Sequence, residues 1–131
     1  MTRNAKILVV EDDHHNMLLM HDVLLMHGYE VLQAWGGIQG WKLAQQYHPD
    51  LILLDIRLRD ISGTEVSKWL KCDQALRTIP VIAVTALAMK GDKEKLLANG
   101  CDGYIPKPIS IFDFLHKIEH LLRSSAYVCV E

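Results

Sequence analysis

Short aliphatic runs alternate along this chain with longer segments of helical period, the pattern of repeated βαβ units around a parallel sheet. The runs that read as strands are Ile7-Leu8-Val9-Val10, Glu30-Val31-Leu32-Gln33-Ala34, Leu51-Ile52-Leu53-Leu54, Val81-Ile82-Ala83-Val84 and Gly103-Tyr104-Ile105. The first, third and fourth are apolar without interruption, as expected of strands covered on both faces; the second and fifth are mixed and belong at the edges. Between them, Asn16 to His27 reads as a helix stopped at Gly28, and Ile38 to Tyr47 as one stopped before Pro49. Gly63 to Lys71 follows a Ser62/Glu65 capping box. In the last helix Ser110 is the expected cap, with Asp113 three residues on, and Leu115, Ile118 and Leu122 recur at helical spacing toward the sheet. The fourth helix offers little apolar surface over Gly91-Asp92-Lys93-Glu94-Lys95 before Leu96, Leu97 and Ala98, with Gly100 as its stop, so it is expected to be the least firmly packed element.

With strands two and five outside, right-handed crossovers and short connections leave the order 2-1-3-4-5, an α/β flavodoxin-like sheet with helices on both faces. A length of 131 residues accommodates one domain over 1–131, with a core at about 6–123 and a tail at 124–131. Half the residues are apolar, enough for a real core, and 14 basic against 16 acidic side chains leave no electrostatic footprint for nucleic acid or an anionic bilayer. No apolar run approaches the roughly 20 residues that span a membrane, and Met1 to Lys6 carry no signal-peptide pattern, so a cytoplasmic location is expected. Cys72, Cys101 and Cys129 are odd in number and far apart, which indicates reduced thiols rather than a disulfide framework or a zinc site.

In an open parallel sheet the ligand crevice lies beyond the carboxyl ends of the strands, where the strand order reverses, here between strands one and three. Strand one ends in Glu11-Asp12-Asp13, strand three in Asp55, strand four in Thr85, and strand five delivers Lys107 after Pro106. Neighbouring strands lie about 4.8 Å apart, so these acids must share one small site with a hydroxyl and an ammonium. Such crowded carboxylates either retain a proton or take a divalent cation. All-oxygen ligands without nearby Cys favour a hard ion, and few carboxylates in a partly solvated site suit Mg²⁺. Lys107 and Thr85 would then meet a phosphoryl group, leaving Asp55 as the oxygen nucleophile. Any one of these residues alone reads as a turn or cap residue; four strand ends together do not.

The segments ILVVEDD, LILLDIRLRDISG, IPVIAVTALAMKGD and GYIPKPIS, in this order and spacing, resemble the receiver domain of bacterial two-component response regulators from about Lys6 to Arg123. The wording of EDDHHNM, SGTEVSKWLK and VTALAMKGD looks most like a single-domain cell-division member of that family. The resemblance implies Asp55 as phosphoacceptor, Glu11 and Asp12 as the acidic pair holding Mg²⁺, the Arg57 backbone carbonyl as a further ligand, and Thr85 and Lys107 on the phosphoryl oxygens. It also implies Tyr104 as a rotating switch aromatic, a cis peptide before Pro108, and an output face of the fourth helix, fifth strand and fifth helix that includes Ala88 and Met89. A sensor histidine kinase or histidine phosphotransfer protein would be the donor and a downstream protein the target, with the chain a monomer or weak dimer that catalyses only its own phosphorylation and dephosphorylation.

Two features depart from the family pattern: Arg57 replaces a smaller polar residue, and Leu58-Arg59 stands where Met-Pro or Leu-Pro is usual. Both bear on loop rigidity and on the rate of hydrolysis. Asp13 is not expected to be a primary ligand. His14 and His15 read as exposed loop residues, His116 and His120 as solvated helix residues lacking a third ligand, and Trp35, Trp41 and Trp69 as packing residues. Rival readings are an aspartate-nucleophile phosphohydrolase, a flavin carrier of the same sheet order, and a receiver-like module that acts without phosphorylation. The first lacks a second acid two positions after Asp55, where Arg57 stands; the second needs a phosphate cradle where Glu11-Asp12-Asp13 would repel phosphate.

Overall fold

The computed structural model describes residues 5–86 and 92–130, so Ala88 and Met89 lie outside the described residues. The element order is β1 (Lys6–Val10), α1 (His14–Met26), β2 (Glu30–Ala34), α2 (Gly37–Tyr47), β3 (Leu51–Asp55), α3 (Gly63–Cys72), β4 (Val81–Thr85), α4 (Asp92–Ala98), β5 (Gly103–Pro106) and α5 (Ile111–Val130). All strand pairs are parallel, in the order β2-β1-β3-β4-β5 that the apolar and mixed runs predict.

Alternation along each central strand splits the apolar residues between two cores, because successive side chains leave opposite faces of the sheet. Leu8, Val10, Ile52, Leu54, Val81 and Ala83 meet Ala44 of α2, Val66 and Leu70 of α3, and Leu96 of α4. Ile7, Val9, Leu51, Leu53, Ile82 and Val84 meet Met17, Met20, Val23 and Leu24 of α1 and Phe114 and Ile118 of α5. With both faces covered, β1, β3 and β4 need apolar side chains at nearly every position.

Three helices differ in detail from the sequence expectation. Helix α1 starts at His14 rather than Asn16, because the Asp13 carboxylate caps it by accepting from Asn16 N–H at 2.9 Å. His14 and His15 are therefore exposed first-turn residues, not loop residues, and His14 stacks on Trp35 with ring centroids 5.9 Å apart. Trp41 and Trp69 do pack, edge to face at 5.7 Å, between α2 and α3. Ser62 caps α3 by accepting from Thr64 N–H, while Glu65 faces Lys68 at 3.8 Å instead of closing the box. In α5 the buried pair is Phe114 and Ile118, with Leu115, Leu121 and Leu122 partly buried beside it, so the buried stripe is turned relative to the expected Leu115, Ile118, Leu122 set. The helix also runs on to Val130, through the segment expected as a separate tail, since neither Gly nor Pro interrupts Ile111 to Val130.

At the end of the sheet remote from the acids, Lys71 ties three segments together. Its Nζ donates to Arg77 O at 3.2 Å, Ile79 O at 3.0 Å and Asp102 Oδ2 at 3.0 Å, and the same Asp102 oxygen accepts from Val81 N–H at 2.7 Å. Gly100 permits this: its φ is +99°, and a Cβ there would lie 2.5 Å from Lys71 Cγ. Lys71→Met keeps the aliphatic stem but leaves a carboxylate and two carbonyls without their shared donor. It should lower stability by about 2 kcal/mol in urea denaturation without changing the m-value.

Candidate functional site

The pairing of β1 with β3 sets Val10 opposite Leu54, so the residues that follow, Glu11 and Asp55, emerge side by side at the carboxyl edge of the sheet. Glu11 still belongs to the ladder, its N–H donating to Ala34 O at 3.0 Å. From β4, Thr85 arrives buried, and its carbonyl accepts from Lys107 N–H at 2.8 Å, which draws the segment after β5 toward the acids. The Lys107–Pro108 peptide is cis, as the family resemblance implies.

Glu11 is fully buried, Asp55 is 4% exposed, and the Asp12 and Lys107 side chains are 16% and 18% exposed. One carboxylate oxygen from each of Glu11, Asp12 and Asp55 lies within 4.8 Å of the others, the one such grouping of three or more metal-capable side chains found among the described residues. His116 and His120 are exposed on α5 and belong to no such grouping. Asp13 is occupied as the α1 cap.

Lys107 Nζ lies 3.2 Å from both Glu11 Oε1 and Asp55 Oδ2. Asp55 Oδ1 accepts from Arg57 N–H at 3.0 Å, and Glu11 Oε2 from Asp13 N–H at 3.1 Å. Glu11 Oε1, close to the ammonium but without hydrogen-bond geometry, is a buried acceptor left over. A single ammonium thus faces two carboxylates withdrawn from water, with the Asp12 carboxylate converging beside them. Burial first, and then the hydrogen-bonding contact with Asp55, push the Glu11 carboxyl up to about 7, against the opposing pull of Asp13 N–H and Lys107. Burial acts to lower the Lys107 ammonium, but the charges of Asp55 and Glu11 outweigh it and hold the group above its usual range. An orphaned buried oxygen, three converging carboxylates and an all-oxygen donor set fit a hard divalent cation.

Beyond the Arg57 carbonyl that the family resemblance implies, the backbone N–H groups of the β3–α3 loop also serve the site, which the sequence expectation did not include. Arg59 N–H donates to Asp12 Oδ2 at 2.9 Å, and the Asp60 carboxylate accepts from Gly37 and Ile38 N–H at the start of α2. The Arg57 side chain is exposed. Tyr104 is half-buried against the α2/α3 side of the sheet, with Lys117 Nζ 5.1 Å from its ring centroid and donating to its carbonyl at 2.6 Å.

An acid cluster at the switch point of a 2-1-3-4-5 sheet, with a lysine delivered after β5, defines a class, and the response regulator receiver domain family matches residues 7–119. The chain belongs to that family. Over 116 residues, 88% of this chain and 94% of the relative, it is 50% identical to the polar-differentiation response regulator DivK of Brucella ovis, and 49% identical to that of Brucella anthropi. Among solved structures it is similar to a CheY-like receiver domain protein of Methanospirillum hungatei, with a TM-score of 0.88 and 30% identity over 95% of this chain and 98% of that one. It is also similar to the receiver domain of a Pseudomonas aeruginosa sensor histidine kinase with a magnesium ion coordinated in its active site cleft, at a TM-score of 0.85 and 30% identity, over 92% of this chain and 98% of that one. The chain is a DivK-like response regulator receiver, a signalling switch.

The raised Glu11 carboxyl makes stability depend on pH. Between its ordinary 4.5 and about 7 the folded state holds a proton that the unfolded state has released, so stability without divalent cations falls as pH rises through that window. Urea midpoints measured in chelator from pH 4.5 to 7.5 should show the wild type losing on the order of 2–3 kcal/mol relative to Glu11→Gln, which lacks this titration.

Proposed function

We propose that this receiver takes a phosphoryl group onto Asp55 from the phosphohistidine of a sensor histidine kinase or histidine phosphotransfer protein. The observation that carries the reading is the convergence of Glu11, Asp12 and Asp55 on one point with Lys107 Nζ 3.2 Å from two of them. An Asp55 oxygen attacks phosphorus, the P–N bond to the donor imidazole breaks, and the released ring takes a proton. Arg57 N–H on Oδ1 fixes the carboxylate plane, which leaves the other oxygen directed at the ammonium and the incoming group. Glu11, Asp12 and Asp55, with the Arg57 backbone carbonyl, would hold Mg²⁺, which supplies charge neutralisation at the phosphoryl oxygens. Lys107 adds a point charge there and Thr85 a hydroxyl.

The same residues catalyse the slower hydrolysis of the product. The added phosphoryl charge draws on Thr85 and Lys107 and shifts an equilibrium across α4, β5 and α5, with Tyr104 as the aromatic that changes place. Output is by protein contact, to a downstream partner in the cytoplasm, from one receiver unit over about 6–123. No helix among the described residues is long and apolar enough to cross a membrane, which is compatible with that location. A receiver-like module acting without phosphorylation is the alternative.

Incubation with Mg²⁺ and a small acyl phosphate, followed by intact mass measurement, tests the reading. A single phosphoryl adduct is expected on the wild type, absent from Asp55→Asn and reduced by at least about tenfold in rate for Lys107→Ala, since an electrostatic contact of this kind contributes on that scale. An unmodified wild type, or an adduct that survives Asp55→Asn, would falsify the assignment.

A further inference from the structure

The loop after β3 gives two alternate backbone amides to the site: Arg57 N–H to Asp55 Oδ1 at 3.0 Å and Arg59 N–H to Asp12 Oδ2 at 2.9 Å. The family usually has proline at the position of Arg59, which has no N–H to donate, so the second bond depends on the residue being Arg59 or another non-proline.

Asp60 restrains the loop that carries this amide. Its Oδ1 accepts from Gly37 N–H and Ile61 N–H, both at 2.9 Å, and its Oδ2 from Ile38 N–H at 3.0 Å. The carboxylate caps the first turn of α2 from a loop 23 residues away in sequence, where a negative charge is favoured. Those amides, Ile38 first, hold the Asp60 carboxyl below its usual range even though the residue is exposed. Gly37 is needed for the approach: a Cβ there would lie 2.4 Å from Ile61 Cγ2. Gly63 N–H closes the loop on Ile56 O at 3.0 Å.

We propose that Arg59 is a positioning residue for the cation site, acting through its backbone N–H on Asp12, and that Asp60 holds that N–H in place by anchoring the loop on α2. The inference rests on the cation reading of the preceding subsection. Asp12 is the most exposed of the three acids and, unlike Glu11 and Asp55, has no contact with Lys107 among the described pairs. Its carboxylate is oriented by the Arg59 amide on Oδ2. The Arg59 guanidinium contributes little, being 91% exposed with Nε 4.0 Å from Asp12 Oδ2, where solvent screens it.

Titration calorimetry with Mg²⁺ alone, without any phosphoryl donor, separates the amide from the side chain. Arg59→Gln keeps the N–H and should bind within about twofold of wild type, whereas Arg59→Pro should bind about tenfold more weakly, the lower end of what loss of an outer-shell partner costs a metal site. Asp60→Ala should fall between them. Urea midpoints for each variant separate lost cation affinity from lost fold. Because Arg59→Pro can disturb the loop by itself, amide exchange at Arg59 in the wild type provides the second measurement: this N–H should be protected with and without Mg²⁺. If Arg59→Pro binds as well as wild type, or the Arg59 amide exchanges as an open loop amide does, the inference is overturned while the cation reading stands. A wild type that takes up no Mg²⁺ overturns both.

Discussion

The parallel register of β1 against β3 is the constraint on which the molecule's chemistry depends. Each strand carries alternate side chains into two different cores, so a slip of one residue would move Val9, Val10, Leu53 and Leu54 to the wrong faces. Packing against α2 and α3 on one side, and α1 and α5 on the other, forbids that slip. The same packing forces Glu11 and Asp55 out of the sheet as neighbours, whatever their mutual repulsion. Apolar burial thus holds together an acid pair that electrostatics alone would separate, and that burial first, then the neighbouring Asp55, raises the Glu11 carboxyl.

The strand order and the converging strand ends were legible because burial on both faces writes itself as uninterrupted aliphatic runs, and because Asp55, Thr85 and Lys107 follow those runs directly. What escaped the sequence reading has a common physical character. Arg59 acts through a backbone N–H, which every residue but proline possesses, so its side chain carries no sign of the role. Asp60 caps a helix that precedes it by more than twenty residues, and capping rules read only adjacent positions. The phase of α5 was ambiguous because Ile111, Phe112, Phe114, Leu115, Ile118, Leu121 and Leu122 form a stripe wider than one buried face. Only the shape of the sheet selects Phe114 over Leu115, and Ser124 and Ser125 are too weak as breakers to end the helix.

The site and the face proposed for output are joined by short covalent and hydrogen-bonded steps. Tyr104 and Lys107 lie three residues apart, and the latter's N–H is fastened to Thr85 O. Lys117, from α5, covers the Tyr104 ring and binds its carbonyl, so the aromatic, the fifth helix and the lysine at the acids share one stretch of backbone. The proposed switch would therefore need no long path between Lys107 and Tyr104.

The Lys71 cluster has a mechanical meaning for α4. That helix is seven residues long, only Leu96 is buried among its described side chains from Glu94 to Ala98, and its exit through Gly100 to Asp102 is bolted to α3 and to the first residue of β4. Such an element is hinged like a door at one edge: any rearrangement of it would pivot about its C-terminal end, with the greatest travel at the opposite end, toward the carboxyl edge of the sheet where the acids gather.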